Sequence, residues 1–350
     1  MKDKSILITG GSGFIGSEAV RSLINNGSKV FNLDKLTYAS CQESLLNLPT
    51  EKYNFMHGDI ANIDTVKKSI DLAKPDFIIN FAAESHVDRS IEDPSLFIQT
   101  NILGTYNLLS ESYDYYLDLD KSKKNAFRFI HISTDEVFGS LDFNEESFKE
   151  SNNYLPNSPY SASKASSDML VRSWFKTYNF PTITTHSSNN YGPWQDPEKL
   201  IPRTILNALN EEPIEVYGDG KNIRDWLFVA DNVIAIIKLL TNGNVGENYN
   251  IGGNNEISNI NLVNLICKTL NQVKPRSNGT YEELITFVED RPGHDLRYSL
   301  NINKINDDIN WSPLTNLEEG LCSTIKWYID HLEQMLNKLK DRKRLGLINK

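Results

Sequence analysis

The sequence predicts an α/β protein built on a doubly wound parallel sheet, with a smaller α/β domain completed by its C-terminal half. Three observations carry this. Strands and helices alternate over roughly the first 190 residues, the strands are apolar from end to end, and a glycine-rich turn separates the first strand from the first helix. A strand exposed on one face would alternate apolar and polar residues, whereas a parallel strand covered by helices on both faces does not. At 350 residues the chain is long enough for two such domains.

The elements follow in order. SILITG reads as a buried strand and FIGSEAVRSLINNG as the helix after it, stopped at Asn26-Gly27. KVFNLD is the second strand and NFMHGD the third. TVKKSIDLA is a helix and DFIINFAA a strand. A long helix covers FIQTNILGTYNLLSESYDYY, and RFIHIST and ITTHSS are further strands. From Asn189 the texture changes, because NNYGPWQDPEKLIP has the Pro, Gly and Asn content of a loop. DWLFVADNVIAIIKLL then reads as a strand-to-helix unit that returns the chain to the sheet domain. The division expected is therefore 1–188 with a return segment at about 223–252 as the dinucleotide-binding domain. Residues 189–222 and 253–335 form the substrate domain, and 336–350 a basic tail whose ordinary role is a solvated helix end.

Composition narrows the function. A formal net charge of -10 gives no basic field for nucleic acid. No apolar run is long enough to span a membrane, and the start of the chain has no signal-peptide core. Cys41, Cys267 and Cys322 are scattered, which suits a reducing compartment, and the six histidines form no ligand-spaced cluster. These features predict a cytoplasmic protein with no metal.

The chemistry begins at TGGSGFIG. Gly10 permits a tight turn, Gly13 a close approach of backbone to pyrophosphate, and Gly16 close packing of helix on strand. The helix N-terminus then offers free amides and a positive dipole end. The second strand ends in Asp34, whose charge suits the ribose hydroxyls of NAD and repels the extra phosphate of NADP. Lys35 beside it leaves an opening for NADP. Further on, Tyr160 and Lys164 in YSASK stand one helical turn apart on one face. A lysine cation favours the phenolate and makes tyrosine a usable base. Ser133-Thr134 ends the preceding strand, and Thr134 is placed to bond the hydroxyl that Tyr160 deprotonates. Asp135 and Glu136 come next. Neighbours in a strand point to opposite faces, so both reach one site only if the backbone leaves the strand there. Two carboxyls in one site separate into an acid and a base, the pair that eliminating water requires.

The GxxGxxG spacing resembles the extended short-chain dehydrogenases/reductases, which are Rossmann-type enzymes. Over nearly the whole chain, HISTDEVFG, SPYSASKASSD, SSNNYGPWQDPEKLIP, YGDGKNIRDWLFVAD and DRPGHDLRY resemble the dTDP-glucose 4,6-dehydratase family. The resemblance implies a nucleotide-sugar substrate, NAD as cofactor and a homodimer. In the implied dimer, the helix near Leu103–Tyr116 and the helix of Tyr160 pair with their symmetry mates. It makes Asp135 the acid at carbon 6, Glu136 the base at carbon 5, and Thr134, Tyr160 and Lys164 the group acting at carbon 4. For the cofactor it implies Gly10, Gly13, Phe14, Ile15, Gly16, Asp34, Lys35 and Thr37. Asp59, Ile60, Ala82, Ala83, Tyr160 and Lys164 complete that set. For the substrate it implies Glu84, Ser85, Asn189, Asn190, Lys199, Leu200, Arg224, His294, Arg297 and Tyr298. Leu296, Phe138 and Ser40-Cys41 depart from the family pattern. Two rivals share the fold, a UDP-sugar 4,6-dehydratase and a 4-epimerase or decarboxylase. A third belongs to another class, a silent NAD-binding regulator.

Overall fold

The computed structural model describes residues 1–290 and 293–340. The strands are β1 Ser5–Thr9, β2 Lys29–Asp34, β3 Tyr53–His57, β4 Phe77–Asn80, β5 Arg128–Thr134 and β6 Thr182–Ser187. They continue as β7 Asn189–Tyr191, β8 Ile214–Tyr217, β9 Ile223–Phe228, β10 Asn248–Ile251, β11 Glu256–Ser258 and β12 Ile285–Val288. Seven of them form one parallel sheet in the order β10-β6-β5-β4-β1-β2-β3. This is the Rossmann-type sheet expected from the uniformly apolar strands.

Side-chain alternation explains why those strands need no polar face. Ile6 and Ile8 of β1, Phe77 and Ile79 of β4, and Ile130 and Ile132 of β5 enter one core, under the helices Phe14–Asn25 and Val229–Asn242. Leu7, Ile78 and Phe129 point the other way, into a second core under Ile63–Ala73, Thr105–Asp118 and Pro159–Tyr178. Each position faces protein on its own side, so apolar residues dominate, and the polar residues that are buried there, such as Asn80, His131 and His186, are held by hydrogen bonds. The strand order reverses between β1 and β4, which opens a crevice beyond their carboxyl ends.

Two expectations are corrected here. The strand of DWLFVAD, β9, does not join the large sheet. It pairs parallel with β7 and antiparallel with β11 in a separate three-stranded sheet. The return begins with the helix Val229–Asn242 and ends with β10, which adds to the large sheet beside β6. The segment after 299 also splits from the substrate half. Ile302, Ile305 and Ile309 recur at helical spacing and, with Trp311 just past the helix, pack into the first large core. A third core, centred on Ile205, Ile266 and Leu321, belongs to the helices of the second half.

The long helix near residue 100 is interrupted. Between Ser95–Phe97 and Thr105–Asp118 the turns of Ile98–Gly104 are widened to π geometry. Such a bulge re-aims side chains and favours functional sites. Here it turns Asn101 onto the backbone of Glu84, donating to its carbonyl at 3.0 Å and accepting from its N–H at 2.9 Å. No helix among the described residues is long and apolar enough to cross a membrane.

Candidate active site

The carboxyl ends of β1, β4, β5 and β6 frame a cleft of ≈ 320 Å³. A second cleft of ≈ 220 Å³ adjoins it, and both share His86, Glu136, Asn189, Asn190, Gln195 and Lys199.

The glycine loop forms one wall of the larger cleft. Gly10 has φ +70°, and a Cβ there would stand 2.6 Å from the Ala82 backbone nitrogen. A Cβ on Gly16 would run into the Gly10 carbonyl. The helix Phe14–Asn25 starts at Gly13 with no side-chain cap and no acidic residue in its first turn, which leaves its amides for an anionic ligand. Asp34 anchors the loop as well as facing the cleft, accepting from Ser12 N at 2.8 Å and Leu36 N at 2.7 Å. Burial raises its carboxyl above the ordinary value despite those bonds. Lys35 is paired with Asp59 at 2.8 Å. Phe14, Ile15, Thr37, Ile60, Ala82 and Ala83 complete this wall.

At Thr134 the backbone leaves β5 and enters the tight turn Asp135–Phe138. The Thr134 hydroxyl holds that exit, accepting from Glu136 N at 3.3 Å and donating to Asp135 Oδ1 at 3.2 Å. Both carboxylates therefore reach the cleft. Asp135 is buried, and its Oδ2 has no hydrogen-bond partner among the described residues. Burial, then the charges of Glu136 and Asp225, push the Asp135 carboxyl well above the carboxylate range. Glu136 lines both clefts.

The helix Pro159–Tyr178 begins at a Ser158–Ser161 capping box and presents Tyr160 and Lys164 to the same floor. The Tyr160 phenol is raised, first by burial and then by Glu136, while its bond with Thr134 lowers it. Lys164 donates to the Ile132 carbonyl at 2.7 Å, and burial pushes it down to about 8. Desolvation is the largest influence on the phenol.

Of the candidate substrate residues, Glu84, Ser85, Asn189, Asn190 and Lys199 line the larger cleft. Leu200, Arg224 and His294 line the smaller one. Arg224 lies 4.4 Å over the Tyr298 ring and donates to the Asp295 carbonyl at 2.9 Å. His294 is held at 2.7 Å by Asp290. Arg297 and Tyr298 line neither of these two clefts. The Arg297 guanidinium grips Glu256 at 2.6 and 3.1 Å and donates to the Glu145 carbonyl at 2.7 Å. Tyr298 is buried beneath Arg224, with its hydroxyl bonded to Asp295. The backbone here bridges to Leu141 and Ile223, which turns both side chains into the protein. Sequence reasoning passed over His86, in both clefts, and Arg203, in the smaller one. Arg203 follows Lys199 by one helical turn, a spacing that could have found it.

A sequence profile of the family described as GDP-mannose 4,6 dehydratase matches residues 7–324. The dTDP-glucose 4,6-dehydratase of Neisseria meningitidis is 50% identical over 347 residues, 98% of either chain. The chain belongs to the dTDP-glucose 4,6-dehydratase family. A family member from Bacillus anthracis, solved in complex with NAD, superposes with TM-score 0.83 at 40% identity, over 95% of this chain and 99% of that one. Another from Streptomyces venezuelae, also solved with NAD bound, gives TM-score 0.86 at 38% identity and the same coverage.

The raised Asp135 carboxyl has a consequence for stability. A group whose folded value lies above its unfolded value contributes fully below the unfolded value and opposes folding as pH rises past it. Asp135→Asn should therefore raise the unfolding temperature at neutral pH. By calorimetry the gain should shrink as pH falls into the ordinary carboxylate range, and a variant less stable than wild type at neutral pH contradicts the assignment.

Proposed function

We propose that this protein is an NAD-dependent dTDP-glucose 4,6-dehydratase that forms dTDP-4-keto-6-deoxyglucose and water, an early step in deoxysugar formation. The observation that carries the reading is the pair Asp135–Glu136 beside Tyr160 on one cleft floor. An epimerase has no use for an acid and a base dedicated to eliminating a hydroxyl.

The glycine cradle fits a dinucleotide. Gly10 and Gly16 let the loop fold tightly against the Ala82 backbone and the Gly10 carbonyl, Gly13 leaves room for a pyrophosphate, and the uncapped helix start and Asp34 offer amides and a ribose acceptor. Bound there, NAD supplies reversible oxidation and reduction of the sugar carbons. The protein's own groups manage the protons. Tyr160 takes the proton of the carbon 4 hydroxyl, Thr134 bonds that hydroxyl, and Lys164 supplies the neighbouring positive charge. A ketone at carbon 4 acidifies the proton at carbon 5, which Glu136 removes. Asp135 keeps its proton until the carbon 6 hydroxyl leaves, because burial and Glu136 hold it neutral. Arg224, Lys199 and His294 are among the cationic or donor groups of the smaller cleft suited to a nucleoside diphosphate.

The enzyme acts as a cytoplasmic homodimer. Leu96, Ile98, Leu103 and Tyr106 are exposed on one helical segment, and Met169 on the adjacent helix, with Tyr106 and Trp174 rings 5.9 Å apart between them. Such a patch pairs with itself around a two-fold axis. Light scattering should give twice the chain mass, and a monomer insensitive to dilution contradicts this.

Asp34→Ala should narrow the preference for NAD over NADP in fluorescence titrations, because the carboxylate repels a 2′-phosphate. Equal affinity of the wild type for both cofactors would overturn that role.

Substrate carrying deuterium at carbon 4 should yield product with deuterium at carbon 6 and one water lost, read by mass spectrometry. Retention at carbon 4 without loss of water identifies an epimerase. Asp135→Asn combined with Glu136→Gln should lower turnover by about 10²–10⁴-fold. Near-normal turnover removes the pair from the mechanism.

A further inference from the structure

Below the cleft floor, side chains from two strands close on a single buried carboxylate. Asp168 lies one turn after Lys164 on the helix Pro159–Tyr178, and both are buried. Ser133 Oγ donates to Asp168 Oδ2 at 2.7 Å, and His186 Nε2 stands 3.3 Å from the same oxygen. His131 Nε2 stands 3.3 Å from Oδ1. Strand register explains the convergence. His131 and Ser133 are two residues apart on β5, and His186 of β6 pairs with Ser133, so all three face the helix.

The hydrogen bonds set the charge state of His131. The Thr9 hydroxyl donates to Asn80 Oδ1 at 2.6 Å, which turns Asn80 Nδ2 toward His131 Nδ1 at 3.1 Å. His131 Nδ1 is therefore an acceptor, and the ring carries its proton on Nε2, facing Ser167 Oγ at 3.2 Å and Asp168. The ring is a neutral donor, and burial pushes it down to about 4. The Tyr154 hydroxyl meets the same His186 Nε2 at 2.8 Å and also bonds Asp168. A buried carboxylate is costly unless a positive charge balances it, and Lys164 is the ammonium one turn away.

We infer that Asp168 is a positioning residue, seated by Ser133, His131 and His186 as the buried counter-ion that keeps Lys164 an ammonium beside Tyr160. The inference rests on the roles proposed above for Lys164 and Tyr160. Burial acts on Lys164 against its charge, and attraction to Asp168 is what opposes it. Among the described residues, the titratable groups around Lys164 and Asp168 include Tyr160 on the same helix, His131 on β5, Asp135 and Glu136 on the next turn, His186 on β6, and Tyr154, which bonds Asp168. Both carboxylates of the turn raise the Tyr160 phenol, so the phenol depends on a nearby cation to serve as a base. With Asp168 neutralised, Lys164 would lose its proton at lower pH, and Tyr160 would lose that cation.

The test is a titration of Lys164 in the holoenzyme. Lysine side chains labelled with carbon-13 are followed by NMR, and Lys164 is identified by the signal missing from Lys164→Met. In the wild type the residue should titrate near about 8. In Asp168→Asn it should titrate lower by about 1–3 pH units. The alkaline limb of single-turnover sugar oxidation should move with it, kcat falling while KM stays close to wild type. Asp168→Glu, which keeps the charge, should bring both readouts back toward wild type. A folded Asp168→Asn whose Lys164 titration is unmoved overturns the inference. If Asp168→Asn does not fold by circular dichroism, Ser133→Ala carries the test by removing only the 2.7 Å bond that seats the carboxylate. A smaller shift in the same direction is then expected, and an unmoved titration is again fatal. The titration needs no substrate, so its failure is distinct from failure of the dehydratase reading, which would appear as a wild type without turnover.

Discussion

The site depends on the register of β5 between its neighbours. Pairing with β4 and β6 fixes where the strand ends, and it ends at Thr134. A slip of one residue would turn Phe129 toward the wrong core and move Thr134 off the exit it caps. The same register puts His131 and Ser133 on the helix side, beneath Tyr160 and Lys164. The floor of the cleft and the buried layer under it are therefore two readings of one strand.

The cleft also concentrates unfavourable charge. Asp135, Glu136 and Asp225 stand close enough to raise Asp135, with Arg224 opposing them. Burial raises Tyr160 and Asp34 and lowers Lys164. Strong perturbation of several groups in one concave place is what acid–base chemistry at neutral pH requires. The rest of the fold supplies the stability that this concentration costs.

Much of this was legible in the residues. The uniformly apolar strands, the glycines of TGGSGFIG and the Tyr160–Lys164 spacing are local patterns with local causes. The exit at Thr134 was legible too, because adjacent carboxylates cannot share a site from within a strand. The destination of β9 was not, since an apolar strand before a helix looks the same whichever sheet receives it. Arg297 is a similar case. An arginine in a binding motif does not reveal which carboxylate reaches it first, and Glu256, 41 positions earlier, took it. The π turn that aims Asn101 and the seat of Asp168 are products of three-dimensional packing and carry no periodicity of their own.

The interleaving of the two halves has a consequence for synthesis on the ribosome. The dinucleotide-binding sheet is not finished when β6 emerges at Ser187, because β10 and the helices Val229–Asn242 and Asn303–Ile309 complete it and its first core. Until then the nascent chain carries an open strand edge at β6 and an uncovered apolar face under Ile130 and Ile183. Both features are adhesive in a growing polypeptide. Both stay uncovered until the last third of the chain has been made, so the sheet half is not a continuous stretch of the sequence.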